Sequence, residues 1–310
     1  MINPTEIVRN SYSLDFTNNP APHASIRQYY RYYGLEAKGA KHIFGTFESN
    51  GETLYAQFFI PEVYYATIVL THGYQDHTGL LKNLIENCLK DKYAVAVYDM
   101  QGFGLSSGER ASIKDFSQYT DTFSDFIKTV KKNLSGPYYL ISLSMGASIS
   151  MEYILNRDSE EFSKVIFASP LIRPVMWHLS KIGYYTLGLL LTNIPRIFRA
   201  DSSDEKFLEF YKNDPLQHKN VRLDWVGALF KWNKRIKKCK PKNCKMLILQ
   251  GTKDRIVNWK YNLKFLKKKF PQAGVLLING ADHQLFNENA GIKQQVFMMI
   301  NKYLLGPNKN

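Results

Sequence analysis

Cysteine is scarce in this chain. Its 310 residues hold three, Cys88, Cys239 and Cys244, and none belongs to a two-residue-spaced pair that a second Cys or His pair would complete. Neither a disulfide framework nor a zinc site is indicated, so the expected setting is reducing and cytoplasmic. Acidic residues are short as well. Asp and Glu number 27 against 41 Lys and Arg, a net charge of +14, and an anionic partner is expected. Charge by itself does not choose among a membrane surface, nucleic acid and an acidic substrate. Long apolar runs are missing too: the uncharged stretch 182–195 contains Gly and Thr and falls short of the roughly 18 to 20 apolar residues of a spanning helix. No basic segment followed by an apolar one opens the sequence, so no secretory leader is expected. What the chain does hold is 45% hydrophobic and 14% aromatic residues, which excludes disorder and supplies an ordinary core.

The apolar residues fall into two periods. Between 42 and 142, short β-branched or aromatic runs alternate with amphipathic segments, which predicts strands at 42–47, 54–60, 66–71, 94–98 and 138–142. Before the last of these, Phe116, Tyr119, Phe123, Phe126, Ile127, Val130 and Leu134 recur at steps of three and four, the face of a helix laid on a sheet. The strand pattern continues at 164–168, stops, and resumes at 246–250 and 275–279 before an amphipathic helix at 292–304. The excursion reads as an insertion. Residues 170–240 are expected to form a mainly helical cap, without strand alternation, on a core made of 1–169 and 241–310. A helix at 23–35 should pack on that core, and the first twenty residues are free to be loose. The fold class is α/β: a mostly parallel central sheet flanked by helices.

The strongest chemical signal is Ser142-Leu143-Ser144-Met145-Gly146, between an apolar strand and a helix start made of small residues. Strand, tight turn, serine and helix make a nucleophile elbow, whose strained turn requires small residues two before and two after the serine. Gly146 meets this, whereas Ser142 stands where Gly is usual. The bland alternative is a serine-rich connection between a strand and a helix.

A serine nucleophile needs a base, and the oxyanion it creates needs donors. After the strand at 66–71 comes His72-Gly73-Tyr74-Gln75-Asp76-His77-Thr78-Gly79, in which Gly73 allows close approach and the Tyr74 N–H, with that of Met145, is placed to form an oxyanion hole. Gly251-Thr252-Lys253-Asp254 and Gly280-Ala281-Asp282-His283 each follow a predicted strand. The order Ser144, Asp254, His283 is the chain order of this triad type. Asp282 remains an alternative acid and His77 a rival base. Asp99, before Gly102-Phe103-Gly104, reads as a structural turn because the spacing does not suit a dinucleotide site. No histidine spacing suggests a metal, and neither metal nor cofactor is expected.

The sequence resembles the α/β-hydrolase superfamily, within it the monoacylglycerol lipases and bacterial lysophospholipases, over about 44–304. Five motifs carry the resemblance: His72-Gly73-x-x-Asp76-His77-Thr78-Gly79; Gly102-Phe103-Gly104-Leu105-Ser106-Ser107-Gly108-Glu109-Arg110; Ser144-Met145-Gly146; Asp214-Pro215-Leu216; and Gly280-Ala281-x-His283-x-Leu285-x-Asn287-Glu288. It implies Ser144, Asp254 and His283 as triad and Tyr74 and Met145 as oxyanion donors. Ser142, Phe103 and Ala147 depart from the usual Gly, His and Gly.

Two further stretches bear on substrate and location. The apolar segment 184–191 either fills the cap or lines an acyl channel; the resemblance favours a channel lined by Leu187, Leu189, Leu190 and Leu191. The run from 231 to 245 holds eight Lys and Arg and no acid. It is either a solvated face or a patch that meets an anionic membrane from its inner face. Nucleic acid is not expected, since no binding motif accompanies the charge. The expectation is a serine hydrolase of single-chain lipid esters. The rivals are a small-molecule esterase, thioesterase or aminopeptidase on the same scaffold, and a silent lipid- or protein-binding module.

Overall fold

The apolar runs pair into one eight-stranded sheet. In the protein's structure, a computed structural model, residues 2–18, 20–157, 161–187 and 191–306 are described, Leu187 by its backbone only. The strands in chain order are β1 (Ala40–Ser49), β2 (Glu52–Pro61), β3 (Thr67–Thr71), β4 (Ala94–Tyr98), β5 (Tyr138–Leu143), β6 (Lys164–Ala168), β7 (Asn193–Pro195), β8 (Asn220–Arg222), β9 (Met246–Gly251) and β10 (Gly274–Ile278). Their order in the large sheet is β1-β2-β4-β3-β5-β6-β9-β10. Every pairing from β4 to β10 is parallel, and β2 alone runs against its neighbours.

Strands buried on both faces read as continuous apolar runs, which is why β3 and β4 were legible; all five residues of each are buried. Val69, Ala94 and Ala96 join the core on one face, and Ile68, Leu70, Val95 and Val97 join that on the other. The helices are α1 (Pro4–Arg9), α2 (Ala24–Tyr33), α3 (Lys82–Lys90), α4 (Ser117–Asn133), α5 (Met145–Asn156), α6 (Trp177–Leu187), α7 (Glu205–Lys212), α8 (Leu223–Ile236), α9 (Trp259–Lys269) and α10 (Ala290–Leu305). Phe123, Phe126 and Val130 of α4 cover the first face, while Ile26 of α2, Leu84 of α3 and Val296 of α10 lie in the second core.

Two expectations are corrected. The described residues from 2 to 14 are not loose: α1 buries Ile7 completely, and the next residues pair with β1 through Thr46 N–H to Tyr12 O and Leu14 N–H to Thr46 O, both 2.9 Å. They cover the edge strand, whose open ladder invites association. The excursion between β6 and β9 is not free of strands. Beside α6, α7 and α8 it carries β7 and β8, an antiparallel ribbon of three residues a side, too short to leave an alternating pattern.

In a parallel sheet the loops after the strands gather at one edge. The loops after β3, β5, β9 and β10 carry residues 72–77, Ser144, Asp254 and His283 respectively, so residues up to 211 positions apart meet there, beside residues of the segment between β6 and β9.

Candidate active site

Ser144 is the single residue between β5 and α5. Its backbone, at φ 51° and ψ −111°, is in a region that costs a non-glycine residue about 1–3 kcal/mol and persists only when its surroundings enforce it. Here its N–H donates to the Ala168 carbonyl at 3.0 Å, and its own carbonyl accepts from the N–H groups of Ala147 and Leu171 at 3.1 Å. A Cβ on Gly146 would lie 2.5 Å from Thr71 Oγ1 and 2.7 Å from the His72 carbonyl oxygen, so only glycine lets α5 start against the end of β3. Ser142 is fully buried, and its Oγ lies 2.8 Å from Ser150 Oγ on α5. The hydroxyl that replaces the usual Gly is therefore accommodated and hydrogen-bonded.

His283 Nε2 is 3.0 Å from Ser144 Oγ, and its Nδ1 is 2.8 Å from Asp254 Oδ2. Asp254 is fixed in turn: Oδ1 accepts the N–H groups of Ile256 and Val257 at 2.9 and 3.0 Å, and Oδ2 accepts Gln250 Nε2 at 3.0 Å. Burial alone would raise the Asp254 carboxyl, but the facing His283 and these donors take it below the usual carboxylate range. Burial likewise pulls His283 down, and the Asp254 charge and hydrogen bond, with Asp201 and Asp76, more than offset it, leaving the imidazole above its ordinary value. Asp282, adjacent in sequence, makes no such contact: its Oδ1 has no partner among the described residues, and burial and the Glu288 charge raise it.

The loop after β3 lies against the serine. A Cβ on Gly73 would sit 3.3 Å from Ser144 Cβ, so the loop backbone that precedes Tyr74 passes close to the serine. Met145 opens α5, so its N–H is among those a helix leaves without an intrahelical acceptor. His72 stiffens this loop: Nε2 accepts the Met100 N–H at 2.9 Å, and Nδ1 donates to the Gly73 carbonyl at 2.8 Å. His77 is not placed as a base. Its Nε2 is 2.9 Å from Asp214 Oδ2, its Nδ1 accepts the Gly79 N–H at 3.1 Å, and Tyr33 OH donates to Asp214 Oδ1 at 2.8 Å. The pair ties the loop to the inserted segment. Asp99 is structural as well, accepting from Thr78 and Leu105.

Ser144 and His283 open into a cavity of about 410 Å³. Its walls are mostly apolar, from Tyr184 of α6, Leu223, Trp225, Leu229 and Phe230 of α8, and Leu191. Of the four leucines expected to line it, Leu191 does so; Leu189, Leu190 and the Leu187 side chain lie outside the described residues. The principal wall, α8, was not foreseen, because the basic residues at its end dominate that stretch.

A polar cluster on the same cavity was also missed. Arg196 donates to Tyr211 OH at 2.9 Å and to Gln217 Oε1, and Tyr211 OH donates to Asp76 Oδ1 at 3.0 Å. Gln217 Nε2 donates to the Gln75 carbonyl at 2.6 Å, and Gln75 Nε2 to the Asn220 carbonyl at 2.8 Å. Asp201 completes the cluster. Of these, only Gln75 and Asp76 stood in the loop motif after β3. Among the described residues no group of His, Cys, Asp and Glu is arranged to hold a metal, and no helix is long and apolar enough to cross a membrane.

A mostly parallel sheet, a serine at a strand-to-helix elbow, and a histidine and aspartate on later strand ends define an α/β-hydrolase. The chain belongs to the serine aminopeptidase S33 family, whose profile matches residues 64–290. It is 26% identical over 266 residues to a monoglyceride lipase homolog of Monkeypox virus, covering 83% of this chain and 96% of that one. To the monoglyceride lipase of Homo sapiens it is 26% identical over 268 residues, 83% of this chain and 88% of that one. It is 24% identical to a probable lysophospholipase L2 of Haemophilus influenzae over 261 residues, 76% and 83% of the two chains. Its fold matches a soluble variant of monoglyceride lipase from Saccharomyces cerevisiae, solved with a substrate analog, at a TM-score of 0.76 and 18% identity, covering 87% of this chain and 96% of that one.

Proposed function

We propose that this chain is a serine hydrolase that cleaves the ester of a single-chain lipid, a monoacylglycerol or lysophospholipid, through an acyl-enzyme. The observation that carries the reading is the relay from Ser144 through His283 to Asp254 at the wall of an apolar cavity. Relatives named as monoglyceride lipases and a probable lysophospholipase support the substrate class. In this reading Ser144 Oγ attacks the ester carbonyl while His283 Nε2 takes its proton, and the N–H groups of Tyr74 and Met145 receive the oxyanion. His283 then gives the proton to the leaving alcohol, and water, deprotonated by the same nitrogen, releases the acid. The reaction uses no cofactor. The acyl chain lies against Leu191, Tyr184 and α8, and 170–240 acts as a cap domain on a core of 1–169 and 241–310.

Contact with an anionic membrane belongs to the same reading. Met176, Leu179, Ile182 and Tyr185 are exposed on and just before α6, and Lys231, Lys234, Lys237 and Lys238 are exposed at the end of α8 and just beyond. Arg235 leaves the patch: its Nε donates to Glu152 at 2.7 Å and its Nη1 to Asp115 at 3.0 Å.

The test is fluorophosphonate labelling together with a panel of single-chain lipid esters, a short nitrophenyl ester and an aminoacyl nitroanilide. Labelling lost in Ser144→Ala, and turnover highest on the lipid esters, is expected. Labelling that survives Ser144→Ala, or a preference for the nitroanilide, overturns the reading.

A further inference from the structure

Asp201 stands on the loop between β7 and α7 and lines the same cavity as Ser144 and His283. It is 7% exposed, and its Oδ1 is buried without a hydrogen-bond partner among the described residues. The loop that carries it is not slack. The Asp201 carbonyl accepts the N–H groups of His283 and Gln284 at 3.0 and 2.8 Å, Ser202 Oγ donates to the Asn287 carbonyl at 2.7 Å, and the Ser203 N–H donates to Glu288 Oε2 at 2.7 Å. The carboxyl is thus held beside the reacting groups by the histidine loop itself, its own backbone N–H lowering it and its Oδ1 left without a partner among the described residues. Leaving such an oxygen unpaired costs free energy that a ligand donor or water recovers. Asp282 also has an unpartnered oxygen, but it does not line the cavity.

We propose that Asp201 accepts a hydrogen bond from a free hydroxyl on the leaving alcohol, so that the site selects esters of polyols over esters of plain alkyl alcohols; this rests on the lipid-ester reading above.

The charges around Asp201 favour a neutral donor. Its charged neighbours are His283, Asp76 and Arg196; burial, aided by Asp76, lifts its carboxyl to about 7 against the lowering effect of the other two and of its own backbone N–H. Near neutral pH it is only partly ionised, which suits a hydroxyl better than an ammonium group. Arg196 opposes a bound cation, and Asp76 opposes a bound anion. A hydroxyl meets neither objection, and either protonation state of Asp201 accepts from it.

The experiment compares kcat/KM for the glycerol and n-propyl esters of one fatty acid, which differ by two hydroxyls, in the parent, Asp201→Asn and Asp201→Leu. A hydrogen bond of this kind contributes roughly ten- to hundredfold. The glycerol-to-propyl ratio should fall by about that factor in Asp201→Leu and by less in Asp201→Asn, whose amide oxygen still accepts. A variant that merely disturbs His283 loses both esters together and leaves the ratio unchanged, which overturns the inference. A ratio that is the same in all three proteins overturns it as well. A parent inert toward both esters, whatever the variants do, overturns the lipid-ester reading and the inference with it.

Discussion

Replacing Asp254 by Asn tests the relay at the residue that holds the His283 ring. The carboxylate receives four hydrogen bonds: Ile256 and Val257 N–H at Oδ1, and His283 Nδ1 and Gln250 Nε2 at Oδ2. The amide oxygen of Asn replaces Oδ1 with no change in the two backbone bonds, which leaves Nδ2, a donor, facing two donors. His283 relieves the clash by moving its proton to Nε2 and accepting at Nδ1. That tautomer presents N–H to Ser144 Oγ and no longer removes its proton. Loss of the same orientation in serine proteases costs about 10⁴ in kcat, or about 5.4 kcal/mol at 1.36 kcal/mol per tenfold, and a loss of that order is expected here. Asp282→Asn, with no contact to His283, should stay within about tenfold.

The assay is kcat/KM on a soluble nitrophenyl ester as a function of pH, with thermal melting to show that each variant folds. In the parent His283 must be neutral to act, and its pKa is raised above 6.5, so activity should fall as pH drops through a value above 6.5. Asp254 is held below its ordinary 3.8 and stays ionised throughout. Asp254→Asn removes the main influence that raises His283 and leaves burial, which lowers it, so the acid limb of the residual activity should move to lower pH. An Asp254→Asn enzyme within tenfold of the parent, or one less impaired than Asp282→Asn, refutes the assignment of the acid.

Chain length should matter: each buried methylene contributes about 0.8 kcal/mol, roughly fourfold in kcat/KM, so a nitrophenyl ester series should climb steeply until the cavity is full, and a flat response removes the channel. Asp214→Asn should destabilise the fold by about 3–5 kcal/mol, since it leaves His77 buried without its charge partner. The raised His77 contributes stability below its ordinary 6.5 and loses it as pH rises through its folded value. The lowered Asp214 contributes above 3.8 and loses it as pH falls. The melting difference should therefore be largest between 3.8 and 6.5, and a pH-independent difference speaks against the pair. Neutralising Lys234, Lys237 and Lys238 together should weaken adsorption to anionic vesicles by up to about 3 kcal/mol, at about 1 kcal/mol each, in a salt-sensitive manner. Vesicle binding equal to the parent's makes the run a solvated face.

The sequence carried the core and the reacting loops for one reason: each is a local pattern. Buried parallel strands are continuous apolar runs, and Ser144 and Asp254 follow such runs by a few residues, while His283 follows the apolar but largely exposed edge strand β10. The elbow showed itself because the Ser144 turn needs Gly146 against Thr71, a constraint that fits within five residues. The ribbon of β7 and β8 had no such trace, since three residues cannot show a period of two. The basic run misled for a related reason. Arg235 looked free because its partners Asp115 and Glu152 are 120 and 83 residues away, and spacing along the chain says nothing of them.

The polar side of the cavity is the extreme case. Asp76, Arg196, Asp201, Tyr211 and Gln284 come from the core loops and the inserted segment and meet only because the His77–Asp214 pair and the bonds from residues 201–203 to residues 283–288 draw the two together. The chemistry common to a large family sits in short motifs at strand ends, where sequence exposes it. In the proposed reading the groups that face the variable half of a substrate sit on the segment between β6 and β9, whose residues acquire meaning only against the loop they touch. That is why Asp201, within an unremarked Asp-Ser-Ser-Asp stretch before α7, gave no signal in sequence yet stands beside the histidine in space. It also places the measurement that separates one ester from another at the cap rather than at the triad: substitutions at Ser144 or Asp254 lower every ester together, whereas a change in the ratio between two alcohols must come from side chains that touch the alcohol.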